Sequence, residues 1–213
     1  MPGWISPVRR TLTDFLPEIL QAMQAMWPWE AIAVVLAIAY LLLAICQNIF
    51  CWVAAIGSTM VYLVLMFRVG LYMESALQLF YIAMAIYGWC CWRSGSAAGQ
   101  VLQVTNWPLA YNMLPLLLIA VATGGSGMLL DIYTDAQLPY LDSFTTWGAI
   151  ISTWMVARKI IQNWHYWFVI DSVSIYLYAS RGLWLTVMLF ALYLVLIVIG
   201  FREWRKCLPI QTQ

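Results

Sequence analysis

The feature that most restricts the fold of this chain is a succession of seven long apolar runs with short connections between them. Each run is about 20 residues long, which is the length a helix needs to cross the hydrocarbon core of a membrane. Lipid offers no hydrogen bonds to a backbone, so a run of this length must satisfy its N–H and C=O groups as an α-helix. The sequence therefore predicts an all-α integral membrane protein with seven transmembrane helices.

The composition supports a membrane location and excludes several functions. The chain is 64% hydrophobic and only 9% charged, against roughly 25% charged residues in soluble proteins. Its net charge is +1 without a basic cluster, so nucleic acid is not an expected partner. One histidine and five cysteines without ligand spacing predict no metal site, and we expect no cofactor and no enzymatic activity.

We place the spans at about residues 29–46, 50–67, 71–92, 108–130, 142–160, 164–180 and 182–203. Before the first span, apolar residues recur at helical spacing opposite Asp14, Glu18 and two glutamines. This pattern is typical of an amphipathic helix in the membrane interface, and its apolar face consists of Leu12, Phe15, Leu16, Ile19, Leu20, Met23 and Trp27.

Lysine and arginine counts on alternate sides of seven spans predict the orientation. Four lie on the side of the N-terminus, namely Arg9, Arg10, Arg68 and Arg181. Six lie on the side of the C-terminus, namely Arg93, Arg158, Lys159, Arg202, Arg205 and Lys206. The excess predicts an external N-terminus and a cytoplasmic C-terminus.

Two parts of the chain resemble each other. The third and seventh spans align at an offset of 112 residues, with the identities Gly70/Gly182, Leu71/Leu183, Tyr81/Tyr193, Gly88/Gly200, Trp92/Trp204 and Arg93/Arg205. Earlier in each half, an offset of 115 pairs Gln47, Asn48 and Trp52 with Gln162, Asn163 and Trp167. With one span between them, the two units run in the same direction, which predicts a parallel 3+1+3 repeat.

This repeat divides the chain into four parts. We assign residues 1–28 to the interfacial segment, 29–107 to a first three-helix bundle, 108–141 to a linker helix and its loop, and 142–213 to a second three-helix bundle with a C-terminal tail. Parallel repeats of this kind place a substrate site near the midplane between the bundles.

Ionisable groups inside a span require a reason, because a charge at mid-bilayer costs at least about 2.5–3.5 kcal/mol. One face of the third span carries Glu74, Gln78 and Tyr81 at i, i+4 and i+7. One face of the sixth span carries Trp164, Trp167, Asp171 and Tyr178. We expect both faces to point inward and to line a binding site, together with Asn48 and Trp52 of the first half.

Indole rings stack on flat rings and attract cations, and Asp171 or Glu74 would balance a positive charge. The predicted ligand is therefore a small, flat, cationic molecule, and a transporter is the leading class. The alternative is a membrane assembly protein in which the polar stripes only hold helices together.

The sequence resembles the PnuC family of nicotinamide riboside transporters. The resemblance rests on Leu77-Gln78, on Ile86-Tyr87-Gly88-Trp89 with Trp92, and above all on Trp164-x-x-Trp167-x-x-x-Asp171. It extends from about Trp29 to Trp204 and implies a SWEET-like 3+1+3 fold and a homotrimer in the bacterial inner membrane. It also implies facilitated diffusion followed by phosphorylation by a cytoplasmic vitamin kinase, with Trp164, Trp167, Asp171 and Gln78 in contact with substrate.

Two departures from the family pattern concern the substrate. Members taken to carry nicotinamide riboside commonly have Asn at the position of Asp171, and often Asn before the Tyr-Gly-Trp run, where this chain has Ala85-Ile86. Relatives that carry thiamine, also a flat cation, have a similar lining. Nicotinamide riboside is the leading expectation, with thiamine as the alternative, and the carboxylates leave a proton-coupled mechanism open.

Overall fold

A computed structural model describes residues 28–68, 72–97, 102–134, 138–180 and 184–208. The described residues form seven helices, which confirms the all-helical prediction. They are α1 (Pro28–Ile45), α2 (Cys51–Arg68), α3 (Tyr72–Ala97), α4 (Leu109–Tyr133), α5 (Pro139–Ala157), α6 (Asn163–Ser180) and α7 (Trp184–Lys206). Most ends fall within a few residues of the predicted spans, and α3 continues beyond its predicted end. The predicted interfacial segment lies outside the described residues.

Three stretches within α1, α4 and α7 are long and apolar enough to cross a membrane by length and composition alone: Pro28–Ile45, Leu109–Tyr133 and Thr186–Lys206. α5 and α6 are less apolar because they carry polar side chains, but several of these are buried inside the protein, namely Ser143, Ser152, Thr153, Asp171 and Ser174. Large apolar side chains face outward instead, as Leu117 and Val121 of α4 do. A surface of this kind is suited to lipid.

The helices pack in two groups of three. In the first group α1 contacts α2 and α2 contacts α3; in the second group α5 contacts α6 and α6 contacts α7. The groups meet where α1 contacts α7 and where α3 contacts α5. Among the described helices, α4 packs mainly against α5, and Tyr166 of α6 donates a hydrogen bond to the carbonyl of Asn112 at 3.4 Å. The core of the protein therefore lies between the two groups, and α4 is attached to the outside of the second.

The turns that end α1 and α5 have the same backbone geometry. Gln47 and Lys159, separated by 112 residues, have φ angles of 53° and 52°. In each turn the N–H of the following residue donates to the carbonyl five residues before it, at 2.9 Å in both cases. A left-handed residue after a helix and a hydrogen bond of this span are the usual way to terminate a helix.

The start of α2 and the start of α6 repeat a second contact at the same spacing. A Cβ atom built on Gly88 would lie 2.4 Å from the ring of Trp52, and one built on Gly200 would lie 2.4 Å from the ring of Trp164. Trp52 is therefore the counterpart of Trp164, and the offset of 115 that paired it with Trp167 is wrong. The error arose because α6 offers two tryptophans three residues apart.

Candidate functional site

A cavity of about 170 Å³ lies among α1, α5, α6 and α7. Its wall is almost entirely apolar and aromatic and contains a single carboxylate. The side chains that give it this character are Tyr40, Trp164, Trp167, Asp171, Phe190 and Tyr193. A concave apolar pocket with few polar groups is the usual form of a small-molecule site in a protein.

One face of α6 supplies the chemically distinctive part of this wall. Trp164, Trp167 and Asp171 follow one another at i, i+3 and i+7, and in a helix of 3.6 residues per turn these positions share a face. The structure brings all three to the same cavity. The predicted stripe on this helix is thus directed inward, and only the more distant Tyr178 is absent from the wall.

The carboxylate of Asp171 is unusual in its surroundings. The side chain is 3% exposed, and within the described residues no hydrogen bond or ion pair to it is formed. A buried charge without a partner is costly, because burial removes its hydration. The cavity therefore presents an acceptor that a cation or a hydrogen-bond donor would complement.

Trp164 belongs both to the cavity wall and to the packed core. Its ring meets Trp204 edge to face at 5.4 Å between centroids, and its side chain is 2% exposed. Its Nε1–H is buried and has no hydrogen-bond partner among the residues that the structure describes. A ligand acceptor in the cavity would satisfy such a group, whereas leaving it unpaired costs about 1–3 kcal/mol.

The predicted residues of the first half do not line this cavity. Trp52 is 1% exposed and packs edge to face on Trp92 at 5.5 Å. Asn48 is exposed, and its Oδ1 accepts a hydrogen bond from the N–H of Phe50 at 3.0 Å. Asn48 thus satisfies a backbone donor just before α2 begins.

The remaining candidates lie on α3 and near the end of α6. Gln78 and Tyr81 are half-buried on α3, outside the cavity wall. Tyr178 lies behind the wall, where its ring contacts Phe190 at 5.1 Å. The side chain of Glu74 lies outside the described residues. Substrate contact by these four residues stays a prediction.

Sequence reasoning did not select Tyr40, Phe190 and Tyr193 as site residues. The repeat held a signal for the last two, because Phe190 and Tyr193 lie 112 residues after Gln78 and Tyr81, which had been selected. Tyr40 had no such signal, since α1 is apolar on all sides.

The comparison with known proteins identifies the family. The family model described as nicotinamide mononucleotide transporter matches residues 27–206. The nicotinamide riboside transporter PnuC of Escherichia coli (strain K12) is 22% identical over 167 residues, which cover 66% of this chain and 70% of that protein. The riboflavin/roseoflavin transporter RibM of Streptomyces davaonensis is 27% identical over 128 residues, which cover 58% of this chain and 59% of RibM.

A solved structure shares the fold. The crystal structure of the vitamin B3 transporter PnuC matches with a TM-score of 0.69 and 20% identity, over 91% of this chain and 87% of that one. The resemblance to the PnuC family is confirmed, and the protein is a multi-pass membrane protein. The chain belongs to the nicotinamide mononucleotide transporter family.

Proposed function

We propose that this protein carries a flat, cationic vitamin across the bacterial inner membrane, and that the vitamin is nicotinamide riboside. The observation that carries the proposal is the buried carboxylate of Asp171, which has no partner among the described residues, in a cavity walled by Trp164 and Trp167. A pyridinium ring would stack on an indole face and place its charge near the carboxylate. Cation–π attraction contributes about 2 kcal/mol or more when it is shielded from water.

The size of the cavity bears on the mechanism. Its volume of about 170 Å³ is below the roughly 300–1,000 Å³ of typical ligand pockets. It accommodates one planar ring, and a bound ribose would require the surrounding helices to separate. This supports transport by alternating exposure, in which the first and second three-helix groups rock against each other in a SWEET-like 3+1+3 arrangement.

The remaining parts of the proposal follow the family resemblance. Transport is facilitated diffusion, and a cytoplasmic kinase traps the vitamin by phosphorylation. The N-terminus lies outside, the C-terminus lies in the cytoplasm, and the chain assembles as a homotrimer in the lipid bilayer.

Thiamine is the second candidate, because its thiazolium ring is also a flat cation. Asp171 favours both cations over the neutral riboflavin that the name of RibM implies. Isothermal titration of the purified protein with nicotinamide riboside, thiamine and riboflavin tests the proposal. We expect the tightest binding for nicotinamide riboside. Tighter binding of thiamine would show that thiamine is the vitamin carried. Tighter binding of riboflavin would contradict the role given to the carboxylate.

A proton-coupled mechanism is the alternative to facilitated diffusion, since Asp171 is a buried carboxylate within a span. Uptake into liposomes with and without a pH gradient separates the two mechanisms. Facilitated diffusion predicts that the internal concentration reaches the external one and stops there. Accumulation above the external concentration when a pH gradient is present would establish proton coupling.

A membrane assembly protein without transport is the alternative from another class. In that case the polar residues hold helices together, and replacing one would lower stability without a separate effect on transport. Gln78→Leu distinguishes these possibilities. A variant that remains folded and trimeric but no longer transports supports the transporter, and a variant that loses its fold, made from an unmodified protein that itself shows no uptake, supports the assembly role.

A further inference from the structure

Four buried tryptophans form a continuous row across the interface between the two three-helix groups. Trp52 and Trp92 belong to the first group, and Trp204 and Trp164 belong to the second. Neighbouring ring centroids are 5.5 Å apart for Trp52 and Trp92, 6.4 Å for Trp92 and Trp204, and 5.4 Å for Trp204 and Trp164. We refer to these four side chains as the indole row.

The two central indoles bind the backbone of the opposite group. Trp92 Nε1–H donates to the carbonyl of Ala157 at 3.2 Å, and Trp204 Nε1–H donates to the carbonyl of Ala44 at 3.0 Å. Each bond therefore joins the two groups. The two outer indoles form no such bond, since Nε1 of Trp52 and Nε1 of Trp164 have no partner in the part of the chain that the structure describes.

A further polar contact crosses the interface beside the row. Lys159 Nζ donates to Gln47 Oε1 at 3.0 Å and lies 4.6 Å from the ring centroid of Trp92. The lysine is 4% exposed, and burial lowers the pKa of its ammonium from the ordinary value. The contact joins the two turns that end α1 and α5.

The indole row lies at one end of the cavity. Ala44, which accepts the bond from Trp204, and Trp164, the last member of the row, both line the cavity. Asp171 is eight residues from the start of α6, or about 12 Å along the helix. The row thus closes the cavity on the side where the C-terminal ends of α1, α3, α5 and α7 meet.

We propose that the indole row, with the Lys159–Gln47 contact, is the gate on the side of the C-terminus, and that it opens by parting of Trp92 from Trp204. Opening breaks the two indole N–H bonds and the lysine contact, which are the described side-chain hydrogen bonds between the two groups at this end. The proposal rests on the proposed transport function, because a gate is needed only if the cavity communicates with this side.

Cys51 reports gate opening without any ligand. It is 0% exposed and belongs to the same buried cluster as the indole row. Replacement of the other four cysteines (Cys46, Cys90, Cys91 and Cys207) by serine leaves it as the only thiol of the chain. The rate of its reaction with a water-soluble maleimide in the purified protein measures how often this end opens.

The test compares substitutions that remove an indole N–H. Trp92→Phe and Trp204→Phe each break a bond between the groups, and we expect each to accelerate the labelling of Cys51 roughly fivefold, the population shift given by one ordinary hydrogen bond. Trp52→Phe is the matched control, because the same ring change removes an N–H that has no partner among the described residues, on a residue outside the cavity wall. We expect it to change the rate less than twofold.

Equal rates in all variants, or equal acceleration in the control, would overturn the gate. If a phenylalanine variant does not fold, Lys159→Met breaks the third contact, and Lys206→Met of the exposed Lys206–Glu203 pair is its control. Faster labelling is expected for the former alone, and no difference overturns the gate. Faster labelling of Cys51 in a protein that does not bind the vitamin would support the gate and contradict the proposed cargo. Vitamin binding with unchanged labelling would support the cargo and contradict the gate.

Discussion

The ring of Trp164 occupies the space that a side chain at Gly200 would need, with 2.4 Å between a Cβ built there and Trp164 Cη2. The same relationship holds between Trp52 and Gly88. Since a glycine lies beneath each indole, the starts of α2 and α6 approach α3 and α7 closely. Trp164 also lines the cavity, so we expect the two glycine contacts to differ in their consequences for ligand binding.

Gly200→Ala should lower stability and affinity together. The methyl group meets a ring in a packed core, and overpacking costs typically about 1–3 kcal/mol. Displacement of Trp164 should also weaken vitamin binding, whereas Gly88→Ala should lower stability alone. Thermal unfolding in detergent and calorimetric titration measure the two effects. Gly124→Ala is the control, because a Cβ there meets nothing within 4 Å; a loss of stability there as large as at Gly200 would contradict the interpretation.

Trp167→Ala should weaken nicotinamide riboside binding roughly 30-fold, which corresponds to losing about 2 kcal/mol of shielded stacking and cation–π attraction. Titration of the purified variant measures the change in Kd. Trp154→Ala makes the same truncation on α5, where the ring packs on Trp107 away from the cavity. If both variants bind like the unmodified protein, Trp167 is a structural residue.

Asp171→Asn should stabilise the ligand-free protein and weaken its binding of cations. The substitution removes a buried carboxylate that has no partner among the described residues, so we expect a higher melting temperature without ligand. We expect the Kd for nicotinamide riboside to rise by roughly tenfold or more, since desolvated charge pairs are worth more than the 1.4 kcal/mol of one decade. The thiamine Kd should rise further.

Two comparisons make the Asp171 experiment specific. Asp131→Asn changes an exposed carboxylate on α4 and should alter neither the melting temperature nor the affinity. Binding of a neutral flavin, where detectable, should be unaffected by Asp171→Asn. A loss of flavin and cation binding in equal measure would indicate that the substitution distorts the cavity rather than removing a charge.

Ser126→Ala should loosen the attachment of α4. Trp147 Nε1–H donates to Ser126 Oγ at 3.0 Å between α5 and α4, and hydrogen bonds between membrane helices contribute about 0.6 kcal/mol on average. Thermal unfolding should show a loss of this order. Ser172→Ala is the control, because its hydroxyl is exposed and bonds only within its own helix; equal losses would contradict a role for the interhelical bond.

The positions of the helices could be predicted because lipid imposes length and apolarity on every span. The stripe of α6 could also be predicted, since Trp164, Trp167 and Asp171 are conspicuous in an apolar segment. The wall contributed by α1 could not. In a membrane both the lipid-facing and the buried side of such a helix are apolar, so the sequence around Tyr40 carries no periodic signal for its inner face.

The role of Trp52 could not be predicted from the sequence either. The sequence alone does not decide whether Trp52 corresponds to Trp164 or to Trp167, since both are tryptophans after a Gln-Asn pair. The left-handed turns at Gln47 and Lys159 resolve the ambiguity, because a turn is a backbone property that different residues adopt. Trp52 then belongs with the packed core, although its residue type matches that of a ligand-binding aromatic.

The cavity wall is not duplicated, although the local geometry around it is. Where α6 carries Asp171, the position 112 residues earlier is Thr59, and where α7 carries Phe190, the corresponding residue is Gln78. If the first half also carried an aspartate at the position of Thr59, the protein would bury two negative charges in one bundle. The carboxylate of the cavity described above therefore comes from the second half alone, and we expect one vitamin molecule to bind per polypeptide chain.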